Sequence, residues 1–288
     1  MITTRHIAAN GLDFAIDEAG DGDAVALCLH GFPESRKSWR HQLPFLAEKG
    51  WHAVAPDLRG YGDSSRPTGL AAYRFDPLVA DVTALFDALG AKRRLLVAHD
   101  WGALIAWVFA QRAPLALDGL VIMNVPHPKV FADVLARSWA QKRKSWYALF
   151  FQLPWLPEAL LGANGAAAIG KAFTDWAIDK SAFPPDIVAH YRDNAARPGA
   201  LTAMINYYRA NTRTLFAEPV VPITVPTLMI WGEEDQALDI SLTDGYGPLV
   251  RDFTLVRLPR VSHWVQQEAP DKVNAALGDW LAAKGLAG

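Results

Sequence analysis

Asp100 stands at the centre of "VAHDWGA", Val97 to Ala103, with small residues two positions either side of it, Ala98 and Gly102. That spacing suits a sharp strand-to-helix elbow of the G-x-S-x-G kind, which pushes one side chain out above the end of a sheet. A serine there attacks acyl carbons; this chain offers a carboxylate instead. A serine that attacked saturated carbon would become an ether, which water does not readily cleave. A carboxylate that attacks the same carbon becomes an ester, and the ester carbonyl can be hydrolysed. With a reference pKa of about 3.9, an aspartate is ionised at neutral pH and needs no base to activate it. The elbow therefore points to an electrophile at sp³ carbon, either an epoxide or an alkyl halide.

An ester intermediate needs a second step, and two further residues stand where that step would need them. Asp235 lies just past "TLMIWG", and His263 just past "FTLVRLPRVS". The chain order nucleophile, acid, histidine is one that elbow enzymes use. The histidine would activate water, while a buried acid fixes its tautomer and stabilises its protonated form. Taken alone, His263 fits a surface loop equally well, and Glu233, Glu234 and Asp239 compete with Asp235 for the acid's place. Occurring together in order after the elbow, the three make a coherent set. "LHGFPES", after the strand that holds Cys28, supplies a fourth piece. The backbone N–H groups of Phe32 and Trp101 would form an oxyanion hole for the intermediate made from Asp100's own carboxyl. Losing one such donor typically costs roughly 3–4 kcal/mol of barrier.

The leaving group separates the two electrophiles. An opening epoxide becomes an alkoxide that needs a proton donor, whereas a halide leaves as an anion and needs only N–H donors around it. Tyr147 in "SWYALFFQLP" and Tyr208 in "INYYRANTR" are candidate donors, although each also fits as a core aromatic. Other chemistries lack their motifs. "GYGDSS" misses the dinucleotide-binding pattern because Ser65 stands at the third glycine, and there is no P-loop, no H-E-x-x-H and no Cys/His cluster. Neither cofactor nor metal is expected. His99 and His127 are read as structural.

These residues must be held by a sheet. "AVALCLHG", "HAVAPDLRG", "RLLVAHD" and "LDGLVIMNVP" read as buried strands, with "TLMIWGEED" and "FTLVRLPRVSH" later in the chain. Leu78, Val82, Leu85, Phe86 and Leu89 fall on one helical face that Gly90 ends, and Val273, Leu277, Trp280 and Leu281 on another. Between Pro128 and Ala217 the chain turns helical and rich in Ala and aromatics. The expected architecture is α/β: a mostly parallel sheet flanked by helices, with a helical cap (128–217) inserted after the sixth strand. The core would comprise residues 1–127 and 218–288.

The 288 residues, 51% hydrophobic and 20% charged, fit a soluble globular chain, and a net charge of −2 gives no reason to expect nucleic acid or an acidic membrane as a partner. One cysteine, Cys28, allows no intrachain disulfide and suits a reducing compartment. No basic-then-apolar leader opens the sequence. The most apolar stretch, "SWYALFFQLPWLPEALLG", is interrupted by Gln152, Pro154, Pro157 and Glu158, and is expected as a buried lid segment rather than a membrane span. Within it Trp146, Phe150, Phe151 and Trp155 fit an apolar pocket wall or the core of the cap. The chain is read as cytoplasmic, and as monomer or homodimer.

The combination "HGFPES", "DLRGYGDS", "AHDWGA", "NVPHP", "FFQLP" and "NYYR" resembles the epoxide hydrolase branch of the α/β-hydrolase superfamily over nearly the whole chain. The resemblance implies an α/β-hydrolase fold and hydrolysis of an ether bond, an epoxide opened by water to a vicinal diol. It implies Asp100 as nucleophile, Asp235 and His263 as relay pair, and Tyr147 and Tyr208 as ring-opening donors, with Tyr207 and Tyr191 less well matched. Haloalkane dehalogenases, the alternative on the same scaffold, usually carry Asn after the His-Gly pair, where Phe32 stands here. Fluoroacetate dehalogenases favour arginines after the nucleophile, where this chain has Trp101 and Leu104. Ala98 departs mildly from the glycine that often opens the elbow. A non-catalytic ligand-binding or regulatory member of the fold would not need Asp100, Asp235 and His263 together. The particular epoxide, its stereo- and regiochemistry and the physiological role stay open.

Overall fold

The computed structural model describes residues 1–212, 214–217 and 219–287. Eight strands form one sheet: β1 (Thr3–Ala9), β2 (Leu12–Ala19), β3 (Ala24–Leu29), β4 (His52–Pro56), β5 (Arg93–His99), β6 (Gly119–Met123), β7 (Thr227–Gly232) and β8 (Phe253–Leu258). Their order across the sheet is β1-β2-β4-β3-β5-β6-β7-β8, with β1 and β2 antiparallel to their neighbours and the rest parallel. The β1–β2 hairpin, absent from the strands read in the sequence, turns on Asn10-Gly11, both at positive φ (49° and 71°). This is the residue pair that a two-residue hairpin loop favours.

The central strands are apolar runs because both their faces are covered. Val25, Leu27 and Leu29 of β3 join one core cluster with Leu96 and Ala98 of β5; Ala26 and Cys28 join the opposite cluster with Leu95 and Val97. Helices α1 (Gln42–Glu48) and α11 (Pro270–Ala283) cover the second cluster through Leu43, Leu46, Leu277 and Trp280. Helices α2 (Phe75–Ala88) and α3 (Trp101–Arg112) cover the first through Leu78, Val82, Leu85, Ile105 and Trp107.

Between β6 and β7 come α4 (Pro128–Arg137), α5 (Trp139–Lys144), α6 (Trp146–Phe150), α7 (Leu156–Trp176), α8 (Pro185–Ala196) and α9 (Ala200–Asn211), with no strand among the described residues. Non-helical backbone at residues 163–166 divides α7 in two. Phe173, Tyr191 and Tyr207 from these helices pack into the first core cluster, so they sit on the same face as α2 and α3. The cap is expected to end at Ala217, and the next residue, Glu218, lies outside the described residues. A short α10 (Val265–Glu268) precedes α11.

Register brings the loops that matter together. Leu29 pairs with Ala98, His99 with Met123, Met123 with Ile230 and Gly232 with Leu258. The carboxyl ends of β3, β5, β6, β7 and β8 therefore lie side by side, which is where open parallel sheets place their ligands.

Candidate active site

Asp100 occupies the one-residue corner between β5 and α3, at φ 48° and ψ −120°. A non-glycine residue held in such a region typically costs about 1–3 kcal/mol, so its surroundings must fix it. Gly102 N–H donates to the His30 carbonyl (3.0 Å) and Leu104 N–H to the Asp100 carbonyl (3.0 Å). Two glycines make that corner possible. A Cβ on Gly102 would lie 2.3 Å from the Leu29 carbonyl oxygen, and one on Gly31 would lie 2.2 Å from the Asp100 Cβ. Gly102 of the elbow motif is thus demanded by the closeness of the β3 loop.

That closeness places a donor on the carboxylate. Phe32 N–H donates to Asp100 Oδ1 at 2.6 Å, leaving Oδ2 toward His263 Nε2 at 3.6 Å. On the far side of the ring, His263 Nδ1 meets Asp235 Oδ2 at 2.6 Å. Asp235 is in turn held by the backbone N–H groups of Ala237 (2.7 Å) and Leu238 (2.9 Å) on Oδ1 and by the Asn124 amide (2.8 Å) on Oδ2. Of the rival acids, Glu233 and Glu234 are exposed, and Asp239 bonds Ser241 instead. Trp101, whose N–H is the second expected oxyanion donor, opens α3 directly after Asp100.

Two buried residues that the sequence reading gave no role hold this set from behind. Glu34 accepts from Gly31 N–H, from His99 Nδ1 and from the amides of Gln266 and Gln267, and His99 Nε2 reaches the His263 carbonyl at 2.9 Å. Asn124, at φ 46°, accepts from Gly232 N–H while its amide holds Asp235. The signals were a glutamate inside "HGFPES" and an asparagine ending β6, and neither type is specific. His127 caps α4, accepting from Lys129 N–H.

Burial would push the His263 imidazole down, but the charges of Asp235 and Asp100 and its bonds to both outweigh that and raise it to about 10. Burial pushes both carboxyls up, yet His263 and the surrounding donors hold Asp100 and Asp235 below the usual carboxylate range. The resting site therefore carries two carboxylates and one imidazolium.

Above this set sit the tyrosines. Tyr147 on α6 and Tyr208 on α9 have ring centroids 6.0 Å apart, and Tyr208 packs edge-on to Trp101 (4.8 Å) and Phe32 (5.5 Å). Burial, and then the charge of Asp100, raise both phenols well above their ordinary value, so they keep their protons. Asp100, Tyr147 and Tyr208 border two cavities, one of about 650 Å³ that also reaches His263, the other about 400 Å³ beside Trp101. Tyr207 points elsewhere, its hydroxyl donating to the Arg59 carbonyl (2.9 Å), and the Tyr191 hydroxyl donates to Gln267 (2.8 Å).

Trp146, Phe150 and Phe151 line the larger cavity, but Trp155 does not. The expectation of a buried lid over "SWYALFFQLPWLPEALLG" is also corrected. Trp146 and Leu149 on α6, Leu153 and Trp155 in the turn after it, and Leu160 on α7 are exposed, so only part of this stretch faces protein. Among the described residues no helix is long and apolar enough to cross a membrane, and no cluster of three or more His, Cys, Asp or Glu could hold a metal ion.

A family model described as alpha/beta hydrolase fold matches residues 25–270. Epoxide hydrolase 4 of Mus musculus is 38% identical over 283 residues, covering 96% of this chain and 78% of that protein. Epoxide hydrolase A of Mycobacterium tuberculosis is 33% identical, covering 97% of each chain. Among solved structures, an epoxide hydrolase of Bacillus megaterium in complex with an inhibitor superposes with a TM-score of 0.89 at 31% identity, over 96% of this chain and 100% of that one.

Proposed function

The chain belongs to the alpha/beta hydrolase fold family, in its epoxide hydrolase branch, and from that premise we propose that it opens an epoxide to a vicinal diol through an ester on Asp100. The observation that carries this reading is the placement of two proton-bearing phenols, Tyr147 and Tyr208, on the same cavities as the elbow carboxylate. Asp100 Oδ2 attacks an epoxide carbon while Oδ1 stays on the Phe32 N–H. The carbon–oxygen bond breaks, and the leaving oxygen takes a proton from a tyrosine hydroxyl. Once alkylation has removed the Asp100 charge, the proton that His263 carried passes by way of solvent to the tyrosinate. The neutral imidazole then removes a proton from water, and the resulting hydroxide adds to the Asp100 carboxyl carbon. The oxyanion so formed rests on the N–H groups of Phe32 and Trp101, and its collapse releases the diol and restores the carboxylate. The helices between β6 and β7 act as a cap that shapes an apolar approach to Asp100.

A panel of epoxides and haloalkanes tests this directly. Diol is expected from epoxides and no halide from haloalkanes; halide release without diol formation would move the assignment to a dehalogenase.

The charge arrangement also suits the order of the steps. While Asp100 is ionised, His263 is held protonated and cannot act as a base. Alkylation removes the Asp100 charge, one of the two that raise the imidazole, and so lowers its pKa for the hydrolytic step. Asp100→Asn mimics that loss. The His263 midpoint, followed by NMR of the labelled imidazole, should fall from about 10 in the wild type by about one to three pH units in the variant, the usual effect of one nearby opposite charge. An unchanged midpoint would remove Asp100 from the control of His263.

A further inference from the structure

Apolar side chains on a surface helix ordinarily face the core. On the strap formed by α5 and α6, Tyr147, Ala148 and Phe150 do so, but further apolar side chains are exposed. Residues 139, 142, 143, 146 and 149, three or four apart along α5 and α6, and residue 153 in the turn that follows, form one exposed set. It consists of Trp139 (77% exposed), Lys142, Arg143, Trp146 (62%), Leu149 (73%) and Leu153. Gln141, fully buried, occupies the inner side and bonds the Ala237 carbonyl and Asp239 N–H. Just beyond α6, Trp155 is exposed as well (72%). Isolated exposed apolar residues need no explanation, but three tryptophans and two leucines along one short segment do.

The charge of the same segment is one-sided. From Val134 to Pro157 there are four cations, Arg137, Lys142, Arg143 and Lys144, and no Asp or Glu. The acids at its borders are engaged, Asp133 with Lys129 and Glu158 with Arg209. Lys144 is turned inward onto the Asp235 carbonyl, and the Lys142 ammonium lies over the Trp139 ring at 4.6 Å. The Arg143 side chain makes no hydrogen bond or ion pair among the described residues, although it stands on the wall of the larger cavity beside Trp146.

We propose that this strap face docks the protein on an anionic lipid surface, with the indoles and leucines in the headgroup–acyl boundary and the cations against lipid phosphates. Tryptophans at an interface together with Lys and Arg are the combination that binds such surfaces. The cation excess favours an anionic lipid over a second copy of this chain, whose matching face would carry the same charges. Arg143 and Trp146 belong both to the docking face and to the cavity wall, so a lipid-dissolved apolar substrate would enter the site where the protein sits on the bilayer. This goes beyond the assigned reaction and does not depend on it, because docking is read without any substrate.

The test is sedimentation of the full chain with vesicles of phosphatidylcholine alone and with vesicles containing phosphatidylglycerol, at low and high salt. Binding is expected to the phosphatidylglycerol vesicles, weakened by salt, with a blue shift of tryptophan fluorescence. Trp139→Ser with Trp155→Ser, neither of which lines a cavity, should lower the vesicle-bound fraction by about tenfold or more. Circular dichroism and turnover of a water-soluble epoxide should be unchanged, while the apparent KM for a vesicle-dissolved long-chain epoxide should rise. Absence of binding to phosphatidylglycerol vesicles, or equal binding by the double variant, would overturn the proposal. So would a dimer by light scattering that the same two substitutions dissociate, which would make the strap face an interface between copies.

Discussion

Mixed with excess epoxide, the His263→Gln protein is expected to gain the mass of one substrate molecule on Asp100 and then stop. Nucleophilic attack uses a carboxylate that is already ionised, so losing the imidazole leaves the first step available. Hydrolysis needs a group to take the proton of the incoming water. His263 Nε2 is the side-chain nitrogen that faces Asp100 Oδ2, at 3.6 Å, with Asp235 fixing the other side of its ring at 2.6 Å. A positioned general base is typically worth about 10²–10⁴ in rate, so steady-state turnover should fall by about that factor while the ester accumulates. Intact mass and peptide mapping would place the adduct, and Asp100→Ala should show none. A single wild-type turnover in ¹⁸O-water should carry the label into Asp100 and leave the first diol unlabelled, because water attacks the carboxyl carbon and not the epoxide. Label found in that first diol, or full turnover by Asp100→Ala, would mean that water attacks the epoxide directly and that the two-step scheme is wrong.

The parts of this site that were legible in the sequence are those whose residue types are forced by backbone geometry or by chemistry. Asp100 was visible because an elbow at φ 48° needs small neighbours, and Gly102 is pressed against the Leu29 carbonyl in the way that requirement implies. The strands β3, β5, β6 and β7 were visible because burial on both faces leaves uninterrupted apolar runs. The β1–β2 hairpin was overlooked because most of β1 is exposed and carries no apolar alternation, although Asn10-Gly11 announced the turn. Glu34 and Asn124 could not be picked out, since their value lies in bonds to groups supplied by distant strands and loops. Tyr207 and Tyr208 are adjacent in sequence, but about 100° of helical rotation sends one to the Arg59 carbonyl and the other to the cavities. The exposed strap was misjudged for a related reason: an apolar run does not say which of its side chains face the protein.

The tyrosines carry the distinction between epoxide and halide, and removing both hydroxyls should nearly abolish ring opening. An alkoxide that leaves without a proton is a poor leaving group, and a positioned acid contributes typically about 10²–10⁴ in rate. Tyr147 and Tyr208 lie edge-to-face, ring centroids 6.0 Å apart, on the walls of both cavities, and burial, together with the Asp100 charge, keeps both phenols protonated at neutral pH. Either one alone can therefore still donate, so Tyr147→Phe and Tyr208→Phe should each slow alkylation less than the double substitution does. Phenylalanine preserves the ring that packs against Trp101, Phe32 and Phe151, so circular dichroism and thermal midpoint should stay close to the wild type. Single-turnover kinetics should place the loss in ester formation, with hydrolysis of any ester that does form unchanged, since His263 and Asp235 are untouched. A double variant that alkylates Asp100 at the wild-type rate would show that the opening oxygen takes its proton elsewhere. In that event His263 becomes the proton source to test, because it lines the larger cavity and, with a pKa of about 10, carries a proton while Asp100 is still ionised.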